Sequence, residues 1–186
     1  MQQMSDDKLI RRYREGEIAA FETLYARYAP RVLGFLRNLM GGPGSNGQAT
    51  TAAEDLAQQT WFRVVDRIET YRPQNQFRAW LFRLAHRIWV DDYRRQQTRS
   101  SVALEEAHSL PTPAPGPVER QITRETKGQI NQAIETLSAP IRETLLLRID
   151  GQLTCREIAA TLECPLGTVL WRLREARQRL TKILDP

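Results

Sequence analysis

Between Leu153 and Leu184 the chain reads L-T-C-R-E-I-A-A-T-L-E-C-P-L-G-T-V-L-W-R-L-R-E-A-R-Q-R-L-T-K-I-L, with arginines along most of the second half. Two short amphipathic helices meet here at a tight turn. A helix that carries cations on its outer face can lie in a DNA major groove, holding phosphates while its N-terminal residues meet base edges. Thr154 and Glu157 have the Thr-x-x-Glu spacing of a capping box, which fixes the start of the first helix. Ile158, Ala159 and Leu162 give that helix an inward face. In the second helix Val169, Leu173, Ala176, Leu180 and Ile183 recur at helical spacing. Trp171, Arg174, Glu175, Gln178 and Lys182 then lie opposite, flanked by Arg172, Arg177 and Arg179. Spacing alone admits two readings, a DNA reader or an arginine-rich surface helix.

A second concentration of charge lies upstream. From Trp61 to Arg99 there are nine arginines (63, 67, 72, 78, 83, 87, 94, 95, 99) against Asp66, Glu69, Asp91 and Asp92. This local excess equals the net charge of the whole chain, +5. Tyr71, Phe77, Trp80, Phe82, Trp89 and Tyr93 are interleaved with the arginines. Rings stack on unpaired bases while cations hold the backbone, a combination that suits single-stranded nucleic acid. The competing reading is that these rings are core, most of all Phe77 and Trp80, which lie near the inward stripe. Trp89 lies well off it.

The elements that must carry these residues are helical throughout. Phe21, Leu24, Tyr25 and Tyr28 mark a helix expected to stop near Pro30, and Val32, Leu33, Leu36, Leu39 and Met40 mark the next, ended by G-G-P-G-S-N-G. A third spans about 51–70, with Leu56, Thr60, Trp61, Val64, Val65 and Ile68 on one side. A fourth follows the loop at 71–76, with Phe77, Trp80, Leu81, Leu84, Ala85 and Ile88 inward. The expected architecture is all-α: a helical module at 1–97, an extended proline-rich linker at 98–118, and a helix-turn-helix module at 119–186. The linker rests on S-L-P-T-P-A-P-G-P-V, whose four alternating prolines cannot continue a helix. The second module is expected to hold a helix through Ile130, Ala133, Ile134 and Leu137, then one from Ile141 to Ile149 ended by Asp150-Gly151.

Composition excludes several classes. With 26% charged and 41% hydrophobic residues among 186, and no apolar run near the ~18 residues a span requires, membrane insertion is not expected. The N-terminus lacks the order of a signal peptide, so the expected location is the cytoplasm. Cys155 and Cys164 have no neighbouring ligands that would make a zinc site, and are read as half-buried thiols. The two histidines, His86 and His108, accompany no phosphate-cradling glycine loop or metal-spaced cluster, so neither an enzyme nor a cofactor is expected.

Four motifs, in order, resemble the extracytoplasmic-function (ECF) sigma factors of the bacterial σ70 family. Ala53-Glu54-Asp55-Leu56-Ala57-Gln58 is similar to the family's A-E-D-L-x-Q run, and Phe77 with Trp80-Leu81 to its F-x-x-W-L. Asp91 with Arg94-Arg95 fits D-x-x-R-R. Glu157-Ile158-Ala159, Gly167-Thr168-Val169, Arg172-Leu173 and Ala176-Arg177 fit the C-terminal pattern. The resemblance implies a factor that binds core RNA polymerase and directs it to promoter DNA. Asp55, Gln58, Gln59 and Phe62 would dock on the β′ clamp helices. Tyr71, Asn75, Phe77, Arg83, His86, Arg87, Arg94 and Arg95 would contact the −10 element. Thr168, Leu170, Trp171, Arg172, Arg174, Glu175, Arg177 and Gln178 would read the −35 duplex, and the C-terminal module would also meet the β flap. An anti-sigma factor is a further implied partner.

The chain departs from the family at informative places. The family's Asn is absent from Ala85-His86-Arg87, which is expected to add a bulky cation to the base pocket. Pro165 replaces the serine that starts the recognition helix, so the cap is expected at Cys164 or the start nearer Gly167. Glu163 replaces the turn glycine. Leu170-Trp171 replaces Lys-Ser, and Glu175 replaces an arginine. Losing a lysine lowers phosphate affinity, whereas a glutamate can accept from a cytosine amino group. An unusual −35 preference follows. The competing functions are a sigma-like adaptor that docks on polymerase without reading promoters, and a free-standing helix-turn-helix regulator.

Overall fold

A computed structural model describes residues 4–41, 47–72, 74–103, 130 and 132–184. Among these, all regular structure is helical. The N-terminal bundle contains α1 (Asp6–Arg14), α2 (Ile18–Leu39), α3 (Gly47–Ile68) and α4 (Phe77–Ala103). The C-terminal module contains a short helical stretch at 132–135, then α5 (Ala139–Ile149), α6 (Cys155–Thr161) and α7 (Leu166–Leu184).

Helix α1 was not foreseen, because only Leu9 and Ile10 are buried apolar residues in a strongly charged stretch. Its charges suit the helix dipole, with Asp6 and Asp7 in the first turn and Arg11, Arg12 and Arg14 in the last. Arg14 then donates to the carbonyls of Ile68 and Tyr71, tying α1 to the end of α3 and the following loop.

The break expected at Pro30 does not occur, and α2 runs straight through it. Leu24, Tyr28, Val32, Phe35, Leu36 and Leu39 form one buried stripe across the proline, and their burial outweighs a penalty of about 3 kcal/mol. Gly41 (φ 112°) follows the end of α2, in the left-handed conformation glycine adopts without strain. Helix α4 continues to Ala103, beyond the expected linker start at residue 98. The proline-rich segment itself lies outside the described residues.

Two further expectations are corrected by burial. Val65 and Ile183, assigned to inward stripes, are 42% and 47% exposed. Helix α4 buries more than one face: Phe82 is fully buried and meets Phe35 edge-on at 5.5 Å, while His86 is 9% exposed. Phe82 is covered from within the first module by α2, whereas His86 is covered by the second module, which packs against the first. Helix α5 lies against α2, and α6 against α4. Leu146, Leu147, Leu153, Ile158 and Val169 join the same apolar core as Leu36, Val64 and Leu81. A smaller core of Leu137, Ile141 and Ala176 holds α5 to α7.

Polar groups seal this junction. Arg31 donates to the Asp150 carbonyl through Nε (3.0 Å) and Nη2 (2.6 Å), and Asn38 donates to the Asp150 carboxylate at 3.1 Å. His86 Nε2 lies 3.3 Å from Glu143 Oε2. Burial raises the Asp150 carboxyl above its ordinary value, opposed by the Asn38 hydrogen bond and the charge of Arg31.

Candidate nucleic-acid and docking interfaces

Helices α2 and α3 enclose an open groove of about 940 Å³. Phe21, Tyr25 and Leu33 line one wall, and Asp55, Gln58, Trp61, Phe62 and Val65 the other. Phe62 is 63% exposed, while Trp61 is buried and packs its ring 4.8 Å from that of Tyr25. Pro30 also lines the groove; having no N–H, it leaves the Ala26 carbonyl beside it without its helical donor. The groove is thus mostly apolar, with carboxylate and amide groups of Asp55, Gln58 and Glu54 along one rim. This suits the face of another helix. Of the predicted docking residues, Asp55, Gln58 and Phe62 share the groove. Gln59 is exposed one step around α3, where with Phe62 it borders a different hollow. The α2 wall escaped the sequence reading because Phe21 and Tyr25 were counted only as helix markers.

The predicted −10 residues divide into three groups. Tyr71 and Phe77 are buried, in edge contact at 5.8 Å, and Phe77 also meets Tyr28 at 5.7 Å. Phe77 is therefore core, not a base-stacking surface. Tyr71 borders a polar hollow of about 330 Å³ with Arg67, Arg72, Gln76, Trp80 and Arg83. Burial and the nearby Asp7 carboxylate push its hydroxyl pKa up, so the group stays a neutral donor. Its buried oxygen lies beside the backbone N–H groups of Gln76 and Gln74, which oppose that rise.

Asn75 is exposed at φ 54°, with its N–H donated to Asp7 Oδ2 at 2.8 Å, so the buried Asp7 fixes the shape of this loop. Arg83, Arg87, Arg94 and Arg95 are exposed on α4, as expected. Arg87 and Arg95 border a hollow of about 530 Å³ between α3 and α4 that also gathers Arg63, Arg67, Asp66 and Asp91. Arg63 and Arg67 were not singled out from sequence, although the local arginine excess contains them. His86 belongs to neither hollow. Arg87, the cation expected in place of the family's Asn, is exposed and borders the α3–α4 hollow rather than that of Tyr71, while His86 faces Glu143 of the second module. Trp89, read from sequence as lying off the stripe, is half-buried and packs against the core, with its ring also stacked on exposed Tyr93 at 5.8 Å.

The helix-turn-helix has the expected start. Glu157 N–H donates to Thr154 Oγ1 at 3.3 Å, and the Thr154 N–H to Glu157 Oε2 at 2.7 Å. The turn closes when the Cys164 N–H bonds the Ala159 carbonyl at 3.1 Å, with Glu163 left-handed at φ 50°. Helix α7 starts at Leu166, so neither cap anticipated from sequence holds. Pro165 occupies the cap position, and its carbonyl accepts from Thr168 and Val169 at 3.0 and 3.3 Å. Val169 and Ala176 are fully buried. Leu170, Trp171, Arg174, Arg177 and Gln178 are exposed on α7, with Thr168, Arg172 and Glu175 half-exposed. Glu175 is held by Arg179 at 2.7 Å, so its carboxylate is engaged rather than free for a cytosine amino group. Cys155 and Cys164 are half-buried free thiols. No described helix is long and apolar enough to cross a membrane.

Comparison with known proteins accords with this geometry. Residues 24–99, from within α2 through most of α4, match the family model described as Sigma-70 region 2. The chain is 26% identical over 193 residues to the RNA polymerase sigma-H factor of Pseudomonas aeruginosa, covering 99% of this chain and 96% of that one. It is 26% identical over 194 residues to the ECF RNA polymerase sigma-E factor of Escherichia coli K12, covering 100% of this chain and 97% of the relative. Its fold is similar to that of the sigma factor RpoE of Bartonella quintana, solved with the anti-sigma factor NepR: TM-score 0.68, 21% identity, 89% of this chain and 96% of that one. With a Sigma-70 region 2 match across α2 to α4 and relatives aligned over nearly the full length, this chain is similar from end to end to the ECF sigma factors of the σ70 family.

Proposed function

We propose that this chain binds core RNA polymerase through the α2–α3 groove and directs it to promoters, capturing the −10 element on α4 and reading the −35 duplex with α7. It is not an enzyme; its work is recognition. The observation that carries this reading is the groove itself, an apolar trough with Phe62 standing 63% exposed on its rim beside Asp55 and Gln58. An isolated soluble chain gains nothing by leaving that surface in water, whereas a helical partner would bury it. The clamp helices of β′ are the proposed occupant, and the β flap would meet the C-terminal module. An anti-sigma factor is the proposed regulatory partner, and the cytoplasm, where RNA polymerase works, the proposed location.

Promoter DNA has two sets of contacts in this scheme. The exposed arginines of α4 hold opened DNA near the hollow of Tyr71, Trp80 and Arg83, and α7 lies in duplex. His86 reaches DNA only after the second module leaves α4, since Glu143 now covers it. The test is run-off transcription from a promoter library with core polymerase, with and without the chain. Chain-dependent transcripts from templates sharing two spaced elements are expected. Stable association with core but no transcript from any template would favour an adaptor, and failure to bind core would leave a free-standing DNA-binding regulator.

A further inference from the structure

The first half of α7 is chemically unlike its second half. From Pro165 to Trp171 there is no charged residue, and Thr168 carries the only side-chain hydrogen-bonding group apart from the Trp171 indole N–H. Yet Leu166, Leu170 and Trp171 are 40%, 52% and 59% exposed. The core needs none of them: Val169 beneath them is fully buried and Leu173 packs against the core. Cations begin only at Arg172, and Arg174, Arg177 and Lys182 are exposed further along the helix. The face is thus apolar at the end that meets base edges and cationic where the helix passes phosphates.

Among base-edge groups in the major groove, the C5 methyl of thymine is the apolar one. We propose that Leu166, Leu170 and Trp171 read thymine methyl groups, so that the −35 element of this factor is specified there by A·T pairs rather than by guanine. The spacing fits. Leu166 and Leu170 are one turn apart, a rise of about 6 Å, while successive bases on a strand are about 3.4 Å apart. The two leucines therefore address positions roughly two base pairs apart, with Trp171 beside Leu170. Glu175, engaged by Arg179, places no free carboxylate against cytosine. The inference rests on the proposed role of α7 as the −35 reader and deepens it.

The experiment uses the full chain bound to core polymerase and promoter fragments with a randomised −35 duplex. Enrichment of thymines, on either strand, at two or three neighbouring pairs is expected. Each enriched thymine is then replaced by deoxyuridine, which removes only the methyl. Each replacement is expected to weaken binding about fourfold, the equivalent of roughly 0.8 kcal/mol per buried methylene-sized group. In L170A and W171A the thymine-to-uracil ratio should fall toward one at the position each side chain touches, with thermal melting unchanged because both residues are exposed. Equal binding of thymine and uracil, or enrichment of G·C pairs at these positions, would overturn the thymine proposal while leaving −35 reading intact. If the holoenzyme enriches no −35 sequence at all, the promoter-reading role of α7 fails and the thymine proposal with it.

Discussion

Single side chains separate binding from folding in this molecule. Phe62 is held by no core contact and stands in the groove, so Phe62→Ala should leave the melting temperature unchanged and weaken association with core polymerase about tenfold or more, or ~1.4 kcal/mol; a pull-down titration against core reads this. Glu163 shows the converse. At φ 50° it occupies a backbone region that costs a residue with a Cβ about 1 kcal/mol, and Glu163→Gly should raise stability by roughly 0.5–1 kcal/mol in a urea titration. Glu163 stood out in the sequence because it replaces the turn glycine of the family it resembles, and the left-handed backbone there shows why glycine suits the position. The sequence could not flag the fate of His86. An outward position on one amphipathic helix was read as solvent-facing, and only the docking of a second module turns it into a buried contact with Glu143.

Helices are where local signals and tertiary burial compete. The capping box at Thr154 and Glu157 was legible because it needs only residues three apart, and the stripe of α7 was legible at its centre, where Val169 and Ala176 are buried. Pro30 misled because the rule that proline ends a helix is local, while the apolar stripe crossing it is not. Pro30→Ala should therefore stabilise α2, by up to about 3 kcal/mol, seen as a higher urea midpoint. Gly151 is the opposite case. A Cβ there would lie 2.5 Å from the Leu147 carbonyl oxygen and 2.7 Å from Leu153 Cδ1, so Gly151→Ala should destabilise the second module by about 1–3 kcal/mol in the same assay. Its need for glycine comes from this close approach at the end of α5, not from its φ.

At the scale of the whole molecule the two modules share one core and a polar seam of Arg31, Asn38 and Asp150, with the His86–Glu143 contact beside it. The sequence named both modules and could not show that they meet, because the residues that join them are far apart in the chain and carry no motif. Asp150 gives the seam a pH dependence of defined sign. Its carboxyl is raised by burial from its ordinary value of 3.8, so between 3.8 and that raised value the packed form retains a proton that the unfolded chain has released. Its contribution is full below 3.8 and is lost as pH rises through the raised value. Asp150→Asn keeps an acceptor for Asn38 and cannot ionise. It should raise the melting temperature at neutral pH and flatten its dependence on pH above 3.8, as thermal scans across pH would show.

Because Asp150 and Arg31 belong to one covalent chain, closure at this seam is unimolecular, and dilution does not open it. Any ligand that needs the His86 face of α4 competes with a neighbour whose local concentration is set by the chain itself. If roughly one molecule in ten were open, that ligand's apparent dissociation constant would rise about tenfold over its intrinsic value.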